Sequence, residues 1–395
     1  MISEPIIRSL LDDDLYKFNM GSVVFHDFPN AIVTYKFILR RKVPFPKGFD
    51  MELEKQLQFL SYLEMTDAEA DWMRASIPYQ RPTYLEWLRH YRMDPSEVTI
   101  KQVDGTLGLT VKGYWYRVIF WEVKLMAIIS ELYFRMTNQP AEGNVWVDKM
   151  YAKSKKLSGA GCHWIDFSTR RRHSYAVQDK LVSIIRDYKG FLGTSNPHFA
   201  MKYGVTPSGT YAHESIMAMS ALYGPVMADR MWRKHWAAHF NGNVGIALTD
   251  TYTSKVFYRD FDTYDARLFD GVRVDSGENY EQGIRALDHY RKLKIPSQEK
   301  RLVFSNGLTT DEYIALDQYF RKFIQPCGGI GTHFANDING IKPLNMVIKL
   351  ATADFGNGPV GVVKLSDDAG KYTGKYEDMV LVKQTLGLPV EQVTK

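Results

Sequence analysis

From about residue 160 onward, short apolar runs recur, and each ends in Gly, Ser, Thr or Asp. They are Trp164–Asp166, Gly190–Thr194, Val244–Asp250, Gly271–Asp275, Arg301–Ser305 and Phe323–Gly331. Stretches of helical spacing, such as Tyr280–Leu293 and Thr310–Phe323, lie between several of them. Strands that alternate with helices pair in parallel, because each return to the same edge needs a crossover. Polar residues at so many strand ends predict an α/β barrel, which gathers the C-terminal ends of its strands into one site. An open doubly wound sheet has the same local pattern and stays open as an alternative.

The first third reads differently. Ala31 to Leu39 alternates like a strand, and Met51–Leu63 and Thr83–Arg92 have helical spacing. Val98–Val103, Asp104-Gly105 and Thr106–Val111 form a hairpin signal, since Asp-Gly favours the tight turn. Glu122–Arg135 is a long, mostly apolar helix. The expected layout is an N-terminal α+β domain over residues 1–125, joined by 355–395, and a catalytic barrel over 126–354. A chain of 395 residues has room for both.

A net charge of +5 is too small for wholesale nucleic-acid binding but suits a locally basic site for an anionic substrate. The two cysteines, Cys162 and Cys327, are too few for a disulfide framework or a four-ligand zinc site. They predict a reducing compartment. Asp12, Asp13 and Asp14 stand where a signal peptide would need an apolar core, and no apolar run is long enough to span a bilayer. The expectation is cytoplasmic, with no membrane partner.

Several segments carry chemistry. Asp166-Phe167-Ser168-Thr169 is followed by Arg170, Arg171 and Arg172, whose guanidinium forks suit phosphate oxygens. A solvated helix start fits that run as well. Gly328-Gly329-Ile330-Gly331-Thr332 offers unhindered amides for a phosphate, or a plain tight turn. Lys342, Lys349 and Lys364 could add charge nearby, although each reads more readily as an ordinary surface lysine. Arg273 and Asp275 stand two apart on an extended segment and face the same side. They could serve a sugar or Mg²⁺, or form a buried ion pair; Asp250 shares that ambiguity. His213, beside Glu214, follows a turn-rich approach and could act as base or nucleophile.

Together these segments resemble the nicotinate phosphoribosyltransferase family. The match runs in order through Leu11–Lys17, Asp166–Arg172, Phe191–Asn196, Gly209–Glu214, Gly245–Asp250, Arg273–Gly277, Gly329–Thr332, Lys342–Leu350 and Lys364–Asp367. The resemblance implies an irregular β/α barrel of the type II phosphoribosyltransferase kind with an N-terminal α+β domain. It implies a homodimer with sites at the subunit interface. The implied reaction joins nicotinate to phosphoribosyl pyrophosphate, the first step of NAD salvage from nicotinate. That reaction would be coupled to ATP hydrolysis through a transient phosphohistidine, which maps to His213, with Mg²⁺ accompanying pyrophosphate and ATP. In the family the pyridine ring stacks between a Phe, here Phe167, and a Tyr from the partner's N-terminus, here Tyr16. Arg170 would reach substrate, Arg273 and Asp275 would bind the phosphoribosyl group, and Gly329, Gly331 and Thr332 would cradle the 5′-phosphate. The family often has Gly at the place of Ser168 and Asp at the place of Asn306.

The nearest alternative is nicotinamide phosphoribosyltransferase, which carries an aspartate after the Gly-Thr that here is Gly193-Thr194. This chain has Ser195, whose hydroxyl can donate to an acid, whereas a carboxylate would repel nicotinate. A nucleic-acid-binding protein using Arg170–Arg172 is the alternative from another class. It would need a broader basic stripe with interleaved aromatics.

Overall fold

The computed structural model describes residues 4–338 and 340–390. Strands β1 (Ile32–Leu39), β2 (Val98–Val103) and β3 (Thr106–Tyr114) belong to one sheet with β10 (Met346–Asp354) and β11 (Val360–Gly361). Its order is β11-β10-β1-β3-β2, all antiparallel. The Asp104-Gly105 turn joins β2 to β3 with both residues at positive φ, as a tight hairpin requires. Strand β10 lies within the span expected for the barrel, yet it pairs along the whole of β1. The return to the first sheet therefore begins at Met346, not at residue 355.

The second sheet is parallel throughout. It contains β4 (Trp164–Asp166), β5 (Phe191–Thr194), β6 (Ile246–Leu248), β7 (Gly271–Val274), β8 (Arg301–Phe304) and β9 (Gln325–Ile330), in the order β5-β4-β9-β8-β7-β6. Helices such as Asn279–Lys292 and Thr310–Phe320 form the crossovers. The edge strands β5 and β6 do not pair with each other. Residues 206–211 span the gap instead: Thr194 N donates to Thr206 O, Ser208 N to Thr194 O, and Thr210 Oγ1 to Ile246 O. Pro207 and Gly209 keep this bridge from becoming a strand. Gly193, at φ +142°, allows the approach, since a Cβ there would lie 2.0 Å from Thr206 O. The result is an irregular barrel whose closure is only partly strand.

Helix Trp121–Met136 is buried along almost its whole length between the two sheets' elements. Among the described residues no helix is long and apolar enough to cross a membrane.

Candidate active site

The three consecutive arginines have three different surroundings. Arg172 is fully buried and forms a bidentate pair with Asp12, Nη1–Oδ1 2.7 Å and Nη2–Oδ2 2.8 Å. Arg170 lies between Asp14 (3.5 Å) and Glu122 (3.8 Å), with its guanidinium 5.7 Å from the centre of the Tyr16 ring. Asp13 pairs with Lys124. Each aspartate of the N-terminal triplet thus meets its own cation, and the segment is pinned against the end of β4. Only Arg171 has no carboxylate within ion-pair distance among the described residues. Burial, and then the neighbouring Arg170 and Arg40, bring its pKa down to about 10.

Asp166 organises the loop that carries them. Its oxygens accept from Ser168 N (3.1 Å), Gln178 Nε2 (3.0 Å) and Thr194 Oγ1 (2.8 Å), and from the Ser168 hydroxyl. Ser168 therefore stabilises the turn with a bond that glycine could not make. Thr194 acts through Asp166 and lines none of the cavities below.

Three cavities meet here. The first, about 190 Å³, is lined by Phe167 and Tyr16 together with Ile165, Ile246, Val303, Ser195, Asp14, Arg170 and Arg273. The second, about 40 Å³, touches Tyr16, Arg170, Arg273, Asp275, Lys349 and His213. The third, about 410 Å³, is lined by Arg40, Arg170, Arg171, Arg273, Lys349, Lys364 and Lys371 against a single carboxylate, Asp275. Gly329, Gly331 and Thr332, with the turn Ser305–Leu308, close its other side. Arg170 and Arg273 line all three cavities, so an aromatic chamber continues into a strongly cationic one.

His213 is the first residue of helix His213–His239 and is buried. Nδ1 lies 3.1 Å from Thr251 Oγ1; Nε2 lies 2.9 Å from Lys364 Nζ and 3.1 Å from Asp275 Oδ2. Burial, and next Lys364, lower its pKa to about 4, so the ring is neutral at physiological pH. Asp250 holds Lys364 (3.2 Å) and accepts from the Ser276 hydroxyl (2.6 Å). His213, Asp250 and Asp275 offer ligand atoms within 4.8 Å of one another. However, the Lys364 ammonium already stands among them as the counter-cation, so the cluster does not suit a resident metal ion.

Several expectations change. Lys364 and Lys349 are not surface lysines: Lys364 is 4% exposed and both line the cationic cavity, whereas Lys342 lies in a separate cavity of about 270 Å³ with Arg41. Tyr16 reaches the aromatic chamber of its own chain, where the resemblance led to a tyrosine from a partner. The Ser195 hydroxyl donates to Asp14 (2.6 Å), so it is already engaged. Gly329 and Gly331 give room to Phe167: a Cβ on Gly329 would lie 2.5 Å from the Phe167 ring, and one on Gly331 would lie 2.6 Å from Phe167 O. Asn306 donates to Gly277 O (2.8 Å) and accepts from Lys371; an aspartate could accept from Lys371 but could not donate to Gly277 O. Sequence reasoning missed Arg40 and Lys371. Arg40-Arg41 at the end of β1 had the same signal as the Asp166 run, cations released at a strand end.

Comparison with known proteins agrees with this geometry. The model of the nicotinate phosphoribosyltransferase (NAPRTase) N-terminal domain matches residues 11–130, and that of the nicotinate phosphoribosyltransferase (NAPRTase) family matches residues 162–390. The nicotinate phosphoribosyltransferase of Desulforapulum autotrophicum is 42% identical over 383 residues, 95% of this chain and 97% of that protein. That of Chromohalobacter salexigens is 41% identical over 387 residues, 97% and 99% of the two chains. The crystal structure of nicotinate phosphoribosyltransferase from Porphyromonas gingivalis superposes with a TM-score of 0.94 at 35% identity, covering 97% of this chain and all of that one.

Proposed function

This chain belongs to the nicotinate phosphoribosyltransferase family, and from that premise we propose how the joined cavities carry out its reaction. Nicotinate occupies the aromatic chamber, stacked against Phe167 and Tyr16, with Arg170 and Arg273 facing its carboxylate. The phosphoribosyl donor occupies the cationic cavity. The pyridine nitrogen forms a bond to the sugar C1 as the C1–O bond breaks, and the electron pair leaves with pyrophosphate. Positive charge develops on the sugar beside Asp275, whose carboxyl is held well below its usual range and stays ionised. The surrounding cations receive the leaving group. Mg²⁺ would accompany the phosphate substrates and offset their charge, and Asp275 is the one carboxylate among the described residues lining the cavity that could help hold it.

The observation that carries this reading is the continuity of the two chambers through Arg170 and Arg273. ATP coupling through His213 is supported by the neutral state of that ring, which leaves a nitrogen lone pair for phosphoryl transfer. A homodimer is the proposed assembly. Buried free thiols at Cys162 and Cys327 suit a cytoplasmic setting. The test is a product assay with nicotinate, nicotinamide and quinolinate, each with and without ATP. Mononucleotide from nicotinate, increased by ATP, is expected; product from nicotinamide alone would reverse the assignment.

A further inference from the structure

The cavity of about 270 Å³ that holds Lys342 takes no part in the transfer of the phosphoribosyl group, yet it adjoins the cavity that does. Asn345 lines both. It stands just before β10, where Arg40 N donates to Asn345 O (2.8 Å) and Arg171 Nε donates to Met346 O (3.2 Å). At the bend after β1, Arg40 lines the cationic cavity and Arg41 lines this one. From the shared Asn345, every second residue of β10 follows the cationic cavity, through Val347 to Lys349. Four residues of strand cover about 13 Å. At the far end Lys349 also touches the small cavity that His213 lines.

The lining of this second cavity is of another kind. Val43, Pro343 and Leu344 give it apolar surface. The Tyr133 hydroxyl, Gln139 Oε1 and the Asn345 side-chain amide also line it, and none has a hydrogen-bond partner among the described residues. Apolar walls with a few free donors and acceptors suit a flat heteroaromatic base. The phosphoribosyl donor has no such part, because its sugar lies between two phosphate ends. A nucleoside triphosphate has a base at one end and a reactive phosphate at the other. We propose that this cavity seats the nucleoside end of ATP, with the triphosphate passing Asn345 into the cationic cavity and reaching His213. There a ring nitrogen of His213 bonds to the γ-phosphorus as the bond to the β,γ-bridging oxygen breaks, and ADP leaves with the electron pair. The proposal rests on the reading of ATP coupling through His213. It gives ATP a foothold outside the space that the pyridine and the phosphoribosyl donor occupy.

The test titrates wild type, Val43→Trp and Gln139→Leu by calorimetry with the Mg²⁺ complexes of two ligands. One is adenosine 5′-(β,γ-imido)triphosphate; the other is tripolyphosphate, which has the phosphates without the nucleoside. The indole fills the cavity, so Val43→Trp should lose about 10-fold or more in affinity for the nucleotide. Gln139→Leu removes the free amide oxygen but keeps the main-chain contact with His173 Nε2 (2.9 Å). It should lose about 3- to 10-fold, the worth of one hydrogen bond. Tripolyphosphate affinity in both variants should stay within about 2-fold, as should KM for nicotinate and for the phosphoribosyl donor without ATP. Wild-type nucleotide affinity in Val43→Trp would overturn the proposal, and so would equal losses for the two ligands. If Val43→Trp does not fold, wild-type nucleotide affinity in Gln139→Leu decides against the seat. A wild-type enzyme whose turnover ATP does not stimulate would refute the coupling itself, and the seat with it, a failure seen before any variant is made.

Discussion

Gly329→Ala separates two roles that glycine could play at the end of β9. In the structure a Cβ at this position would lie 2.5 Å from Phe167 Cδ2 and 2.6 Å from Cε2. Comfortable carbon–carbon contact is about 3.5–4.0 Å, so something must retreat by roughly 1 Å. Strand β9 is held between β4 and β8 and cannot easily move. The ring faces the aromatic chamber of about 190 Å³ and can. The methyl group therefore pushes Phe167 into the space proposed for the pyridine. Overpacking of this kind costs about 1–3 kcal/mol. Lost aromatic stacking is worth about 0.5–1.5 kcal/mol, or about 2- to 10-fold in nicotinate affinity. The expected result is a higher KM for nicotinate, a KM for the phosphoribosyl donor changed by less than about 2-fold, and a slightly lower Tm. If Gly329 serves instead to bring its amide to a phosphate, the pattern inverts. A raised donor KM with nicotinate KM unchanged would refute the packing argument.

Lys17 is fully buried between Glu122 (2.7 Å) and Glu214, so Lys17→Met strands two carboxylates and should cost about 3–5 kcal/mol in urea unfolding; a loss under about 1 kcal/mol would contradict the ion network. Burial, aided by Lys364 and Arg170, lowers the Lys349 ammonium to about 8. Lys349 is thus a cation below pH 8 and neutral above it, and KM for the donor should rise as pH passes through 8. Lys349→Arg should flatten that rise, and an identical pH profile in the variant would remove the assignment. His213→Ala should abolish phosphoenzyme formation from labelled ATP and the ATP stimulation of turnover, while full stimulation in the variant would exclude His213 as the coupling residue.

Much of this architecture was legible because it is local. Each barrel strand is an apolar run that ends in a polar residue, and Asp104-Gly105 marks its hairpin without reference to the rest of the chain. Strand β10 was harder. Its lysines stand out in the sequence, but its pairing with β1 depends on residues at the other end of the chain. Charge partners were hidden for the same reason. Nothing near Lys364 suggests that it will be enclosed by His213 and Asp250, and nothing near Arg172 points to Asp12. The glycines at 329 and 331 were ambiguous in another way, because room for a backbone amide and room for a neighbouring ring leave the same sequence trace. The family resemblance supplied candidate roles for single residues, while the sorting of the arginine run emerged only from three-dimensional contacts.

The pairing of β1 with β10 also bears on how the protein is made. Strand β1 emerges early from the ribosome, and its main partner on one side is synthesised almost last. Until then that edge is open, and Arg40 and Arg171 have no β10 backbone to anchor them. The six parallel strands of the barrel can form earlier, but the donor pocket cannot. Pairing between strands so far apart in the chain is slow to form. Catalytic competence should therefore arrive as the final event of folding, within one cooperative step that joins the two ends of the chain.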